Sequence, residues 1–172
     1  MLTDRLKKAI KDYPNFPKKG IIFKDLNPIF SEPDLFQDLI EKMSSDNYLK
    51  KADAIVAIDA RGFIYGAAIA KNINKPFILA RKENKLPGEL IKKTYGLEYG
   101  EDTLSLQKSA LSKFKNFVIV DDLLATGGTA ECVINLLLSE NKNVLSLNVV
   151  VELNFLQGRN KINCPVNSII NY

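Results

Sequence analysis

Four near-continuous apolar runs constrain this chain more than any other feature: AIVAID, PFILA, FVIVD and VLSLNVVVEL. A sheet with one wet face alternates apolar and polar residues, whereas a strand covered on both faces stays apolar throughout. Between the runs lie RGFIYGAAIAKNI and TAECVINLLLSEN, both of helical pattern. Strand and helix in alternation predict an α/β fold, a mainly parallel sheet flanked by helices. Ahead of them, LTDRLKKAIKDY places Leu2, Leu6, Ala9, Ile10 and Tyr13 at helical spacing, with Thr3 as the expected cap. PNFPKKG stops that helix, and PDLFQDLIEKM forms a second one with Pro33 in its first turn. A long polar segment, RKENKLPGELIKKTYGLEYGEDT, interrupts the pattern and reads as a functional or mobile connection. No repeat, low-complexity tract or linker divides the chain, so residues 1–172 are expected to form a single domain.

Composition narrows the chemistry. With 46% of its 172 residues hydrophobic, the chain can bury one good core. Histidine is absent, so acid–base work falls to carboxylates, Lys or Tyr. A formal charge of +4 suits an anionic small substrate and is too slight for a nucleic-acid footprint. The first residues are charged with no apolar core, and no run approaches a membrane span, so a cytoplasmic protein is expected. Cys132 and Cys164 lack metal-like spacing and read as reduced core thiols.

The chemistry concentrates in FVIVDDLLATGGTA, Phe117 to Ala130. Ligands of open parallel sheets bind beyond the carboxyl ends of the strands, and Asp121 and Asp122 directly follow such a strand. Thr126, Gly127, Gly128 and Thr129 come next, with a helix expected to begin near Thr129 or Ala130. A small-residue loop entering a helix presents backbone N–H groups to a phosphate, aided by the helix dipole. The glycines permit close approach, and the threonines add hydroxyl donors. Carboxylates would repel the phosphate itself, but they accept hydrogen bonds from sugar hydroxyls and attract divalent cations. The inferred ligand is a ribose phosphate: phosphate in the loop, diol on the aspartates. A Walker B strand also ends in acid, yet no GxxxxGKS/T loop accompanies it, and GxGxxG is absent. A receiver-type acid pocket opens its fold, whereas only about a third of this chain follows Asp121. A solvated Asp pair with a glycine cap would account for DD or GG alone, but not for the whole string.

VIVDDLLATGGTA resembles the phosphoribosyl pyrophosphate signature of the type I phosphoribosyltransferases, and DDLLATGGT resembles their adenine branch. DYPNFPKKGIIFKDLNPIF is similar to that family's base-binding hood, here within about residues 1–35. AIDARGFIYGAAIA is similar to its pyrophosphate-side loop, and RKENKLPGE together with YGLEYG to its mobile catalytic loop. The similarity runs from about Asp12 to the final CPVNSIINY. It implies the type I phosphoribosyltransferase fold, with a mainly parallel sheet flanked by helices and a small N-terminal hood. The implied reaction joins adenine to phosphoribosyl pyrophosphate, giving AMP and pyrophosphate, with Mg²⁺ held mainly by the substrate. A homodimer is implied as well.

The same resemblance implies residue roles. Ala125 through Thr129 hold the 5′-phosphate, and Asp121 and Asp122 hold the ribose hydroxyls. Phe23 stacks on adenine beside Leu123, and the Ile22 backbone reads the base edge. A carbonyl accepting from the 6-amino group and an N–H donating to N1 mismatch hypoxanthine or guanine, by about 1–3 kcal/mol for each group. Arg61 contacts the pyrophosphate side. Arg81, Lys82 and Lys85 lie in the long loop with Pro87 and Gly88, suited to close over the leaving group. Glu98, next to Tyr99, is the implied acid–base group. Three positions depart from the family pattern: Lys19 where Pro is frequent, Lys24 for a frequent Arg, and Asn84 for a usual Gly. Rival readings are transfer to another purine such as xanthine, and a non-catalytic sensor of phosphoribosyl pyrophosphate. The catalytic loop argues against the sensor, since sensing needs no closure over a leaving group.

Overall fold

The computed structural model describes residues 1–96 and 101–172. Its centre is a seven-stranded sheet built from β3 (Ala54–Ile58), β4 (Phe77–Lys82), β5 (Leu90–Gly96), β6 (Glu101–Gln107), β7 (Asn116–Leu124), β8 (Asn143–Glu152) and β9 (Val166–Asn171). The order is β5-β6-β4-β3-β7-β8-β9. β4, β3, β7, β8 and β9 run parallel, and β6 and β5 add an antiparallel edge. The apolar runs follow from this. In β7, Phe117 and Ile119 face a core shared with Val133, Ile134 and Leu137 of α7 (Gly128–Ser139). Val118 and Val120 face the other core, with Leu35 and Leu39 of α3 (Pro33–Ser44) and Ile69 of α5 (Gly62–Ile73). With helices on both faces, no position of the central strands needs a polar residue. A mainly parallel sheet flanked by helices is therefore what the apolar runs build.

At the N-terminus, α1 (Leu2–Ala9) leads into a two-stranded antiparallel hairpin, β1 (Lys11–Pro14) with β2 (Ile22–Asp25). The first helix is shorter than its periodicity predicts. Ile10 turns extended, and Tyr13 sits opposite Phe23 in the hairpin rather than on a helix face. Thr3 does not cap: the cap position is Met1, with no side-chain bond. From Lys11 on, the chain takes its backbone partners from β2 instead of from the preceding helical turn. Short helices α2 (Asn27–Phe30), α4 (Asn47–Lys51) and α6 (Lys108–Leu111), with 3₁₀ turns at Asn154–Leu156 and Gly158–Lys161 between β8 and β9, complete the described elements.

The long polar segment is not a connection. It supplies β5 and the first residues of β6, an antiparallel pair continuous with the main sheet through β6 and β4. β4 also extends further than the run PFILA, so Arg81 and Lys82 close a strand instead of lying in a loop. Cys132 is buried, Cys164 is partly buried, and both are free thiols.

Candidate functional site

β7 does not stop before its aspartates: Asp121 and Asp122 are its sixth and seventh residues, and the strand continues through Leu124. Pairing with β8 carries it there, Asp121 opposite Val149 and Leu123 opposite Val151. The chain then turns through Ala125 and Thr126 to Gly127, whose φ of 84° favours glycine, and α7 starts at Gly128, one or two residues earlier than expected. Asp121, Leu123 and the loop Ala125–Thr129 line a cavity of about 80 Å³ at the carboxyl end of β7. A roomier depression of about 650 Å³, bordered by Asp53, Lys75 and Lys115, sits at the opposite ends of the strands. The smaller cavity is the better candidate, because helix N-termini and strand carboxyl ends converge there.

The two carboxylates are differently held. Asp121 Oδ1 accepts the Asp122 N–H at 2.9 Å. The N-terminus of α5 presses on it so closely that a methyl group at Gly62 would lie 2.9 Å from that oxygen. Burial, reinforced by the charge of Asp122, raises the Asp121 carboxyl well above the usual carboxylate range, with Arg61 opposing. Asp122 is 5% exposed. Its Oδ2 lies 2.6 Å from Arg61 Nε, an ion pair whose alignment leaves that oxygen without a well-directed hydrogen bond. The same guanidinium stands 5.2 Å from the centre of the Phe23 ring. Arg61 therefore bridges the aspartate pair and the hairpin.

Phe23 is partly buried, with Phe16 edge-on at 5.3 Å, while Ile22 is exposed. Leu123 is partly buried against the α3–α5 core. Arg81 Nε donates to Asp59 Oδ2 at 3.1 Å. Lys82 Nζ pairs with Asp102 Oδ2 at 2.9 Å, a contact that raises the lysine's pKa. Lys85, Pro87 and Gly88 are exposed beyond β4. Asn84 takes φ 60°, a left-handed turn that Asn tolerates and Gly favours. Lys24 pairs with Asp12 at 2.8 Å and lies over the Tyr172 ring. Glu98 and Tyr99 lie outside the described residues.

Two residues beside the site, one against the loop and one against the aspartates, were not singled out from the sequence. Tyr95, near the end of β5, interacts with the Thr129 side chain, and Gly96 O lies 3.3 Å from where a methyl group on Gly128 would sit. The β5–β6 hairpin thus folds against the glycine loop. Tyr65 of α5 is fully buried, its hydroxyl has no partner among the described residues, and burial first, then the charge of Asp122, raises its pKa. Neither residue stood out among ordinary strand and helix aromatics; only the fold brings them to the site. Amide donors, hydroxyl acceptors and a half-exposed arginine in this arrangement are suited to a phosphorylated sugar.

Comparison with known proteins agrees. Residues 29–165 match the family model described as a phosphoribosyl transferase domain. The chain is 56% identical over 172 residues to an adenine phosphoribosyltransferase of Prochlorococcus marinus, covering 100% of both. Its fold superposes on the crystal structure of adenine phosphoribosyltransferase from Thermoanaerobacter pseudethanolicus with a TM-score of 0.93, at 40% identity and full coverage of both chains. The Saccharomyces cerevisiae enzyme, solved with adenine and an imino-altritol bisphosphate, superposes at 0.90 with 41% identity over 98% of each chain. The chain belongs to the phosphoribosyl transferase domain family, in its adenine phosphoribosyltransferase branch.

Proposed function

We infer that this protein salvages adenine, transferring the phosphoribosyl group of phosphoribosyl pyrophosphate to the base and releasing AMP and pyrophosphate. Full-length identity to adenine phosphoribosyltransferases is the observation that carries the reaction. The residue roles are proposals, supported by Asp121 lining one cavity with the glycine loop and by Asp122 beside it on the same strand, paired with Arg61. The 5′-phosphate accepts from the amides of Ala125–Thr129 and takes the favourable end of the α7 dipole. The ribose hydroxyls donate to Asp121 and Asp122. As the diol arrives, Arg61 exchanges the Asp122 carboxylate for the diphosphate, and its place beside Phe23 opens to the flat base. Adenine stacks on Phe23 against Leu123, with the Ile22 backbone at its edge.

Adenine N9 bonds to the sugar carbon as the bond to diphosphate breaks. The positive charge developing on ribose lies beside two carboxylates, and the negative charge on the leaving group is met by Arg61, Arg81, Lys82 and Lys85. Arg81 and Lys82 carry acidic partners here, Asp59 and Asp102, which they must share or release when diphosphate binds. The proton lost from the base goes to Glu98, which with Tyr99, Pro87 and Gly88 belongs to the covering loop. Mg²⁺ would be held mainly by the substrate's diphosphate, beside an aspartate pair of which one carboxylate already faces Arg61. When bound, the ion neutralises charge on the leaving diphosphate.

We carry over from the resemblance a homodimer in the cytoplasm and one functional unit over residues 1–172, with the hood in about the first 35. No described helix is long and apolar enough to cross a membrane. Incubating the protein with Mg²⁺, phosphoribosyl pyrophosphate and each purine base in turn tests the reading. Pyrophosphate is expected with adenine alone; release only with xanthine, or with no base, contradicts it.

A further inference from the structure

Beside the glycine loop stands a segment to which no role has been given, the turn between β8 and β9. Its middle, Gly158, meets the loop backbone to backbone. A methyl group on Gly127 would fall inside contact distance of the Gly158 carbonyl oxygen, and one on Gly158 inside contact distance of the Ala125 carbonyl oxygen and 3.0 Å from the Gly127 nitrogen. No side chain fits between the two strands of backbone. Gly158 is buried, and Leu153 N–H donates to Leu124 O at 3.0 Å, so the turn is tied to the loop at its root as well.

The turn is anchored from behind. Glu152, the last residue of β8, is 4% exposed. Arg159, next to Gly158, grips both its carboxylate oxygens: Nε donates to Oε1 at 2.9 Å and the second prong reaches Oε2. Arg159 Nη1 also donates to Val166 O at 2.9 Å, and Ser168 Oγ donates to Glu152 Oε2 at 3.0 Å. A two-pronged pair fixes orientation as well as distance. It joins the end of β8, the turn and β9 into one support.

We propose that Gly158, held by the Glu152–Arg159 pair, is a positioning residue that sets the spacing of the phosphate-binding amides at Ala125–Gly127. Amide donors help an anion only when already aimed at it, and such alignment comes from the layer behind them. The inference rests on reading the glycine loop as the 5′-phosphate site. Sequence hides the support, because Gly158 acts through the lack of a side chain and Glu152 sits at the end of an apolar run.

Steady-state kinetics with thermal melts test it. Gly158→Ala is expected to raise KM for phosphoribosyl pyrophosphate about tenfold or more while KM for adenine changes by less than about twofold. Arg159→Lys keeps the charge but loses the fork, and is expected to raise the same KM about threefold with a cooperative melt retained. A structural role alone would lower Tm and move both KM values together, or neither, and either result overturns the proposal. If Gly158→Ala does not fold, Arg159→Lys decides, and an unchanged KM for phosphoribosyl pyrophosphate overturns it. Thr129→Val separates the two failures. If it raises that KM while the turn variants do not, only the support is wrong; if all three leave it unchanged, the phosphate site itself is misplaced.

Discussion

At Asp121, burial and the neighbouring charge of Asp122 both oppose ionisation. Its folded-state pKa lies above that of the unfolded chain, so the native state holds the proton more tightly. The contribution of Asp121 to stability is therefore greatest at low pH and is lost as pH rises from the ordinary carboxylate range through the raised pKa. Such a residue suits a diol better than it suits the fold. Asp121→Asn is nearly isosteric and still accepts the Asp122 N–H. Its Tm at pH 7 is expected to exceed that of the parent, by about 2–4 °C for each kcal/mol relieved, while KM for phosphoribosyl pyrophosphate rises roughly tenfold. Melts repeated at pH 4 should show the gap in Tm closing. A gap that persists unchanged there would assign the effect to packing instead of charge.

At the scale of elements, legibility followed burial. β3, β7 and β8 are covered on both faces and announce themselves as near-continuous apolar runs. β5 forms an edge and reads LIKKTYG, with one buried residue, so its pattern is indistinguishable from a polar loop. Its partner β6 begins beside the residues outside the described set, and the glycines and proline around the pair mask both strands. The end of β7 shows the reverse error: two aspartates look like a strand's end, yet β8 carries the ladder past them. The consequence reaches the site, because the misread hairpin brings Tyr95 to Thr129. Tyr95→Phe keeps the ring and removes the hydroxyl. Losing the hydroxyl's interaction with Thr129 is expected to lower kcat/KM for phosphoribosyl pyrophosphate about two- to tenfold. Equal kinetics for Tyr95→Phe and the parent would detach the hairpin from the loop.

For the whole molecule, two opposing electrostatic arrangements meet around one loop. Burial and the charge of Asp122 disfavour ionisation of Asp121, whereas the Arg159 fork, aided by Ser168, lowers the pKa of Glu152 below the usual glutamate range. Glu152 thus contributes stability above the unfolded glutamate pKa, and that contribution is lost as pH falls through the lowered folded value. Tm measured from about pH 6 down to pH 3 is expected to fall less steeply in Glu152→Gln than in the parent; parallel acid limbs would exclude this pair as their cause. The glycine string and the aspartates were readable because their chemistry lies in contiguous residues. The Arg61–Asp122 bridge, Tyr95 and the Gly158 support were not, since each joins segments distant in sequence. A crystal structure of the AMP complex tests the central claim most directly. The account predicts phosphate oxygens within hydrogen-bond distance of the amides of Ala125–Thr129, ribose hydroxyls on Asp121 and Asp122, and Arg61 drawn away from Asp122. AMP bound elsewhere, or those amides turned from the phosphate with Arg61 still on Asp122, would contradict it.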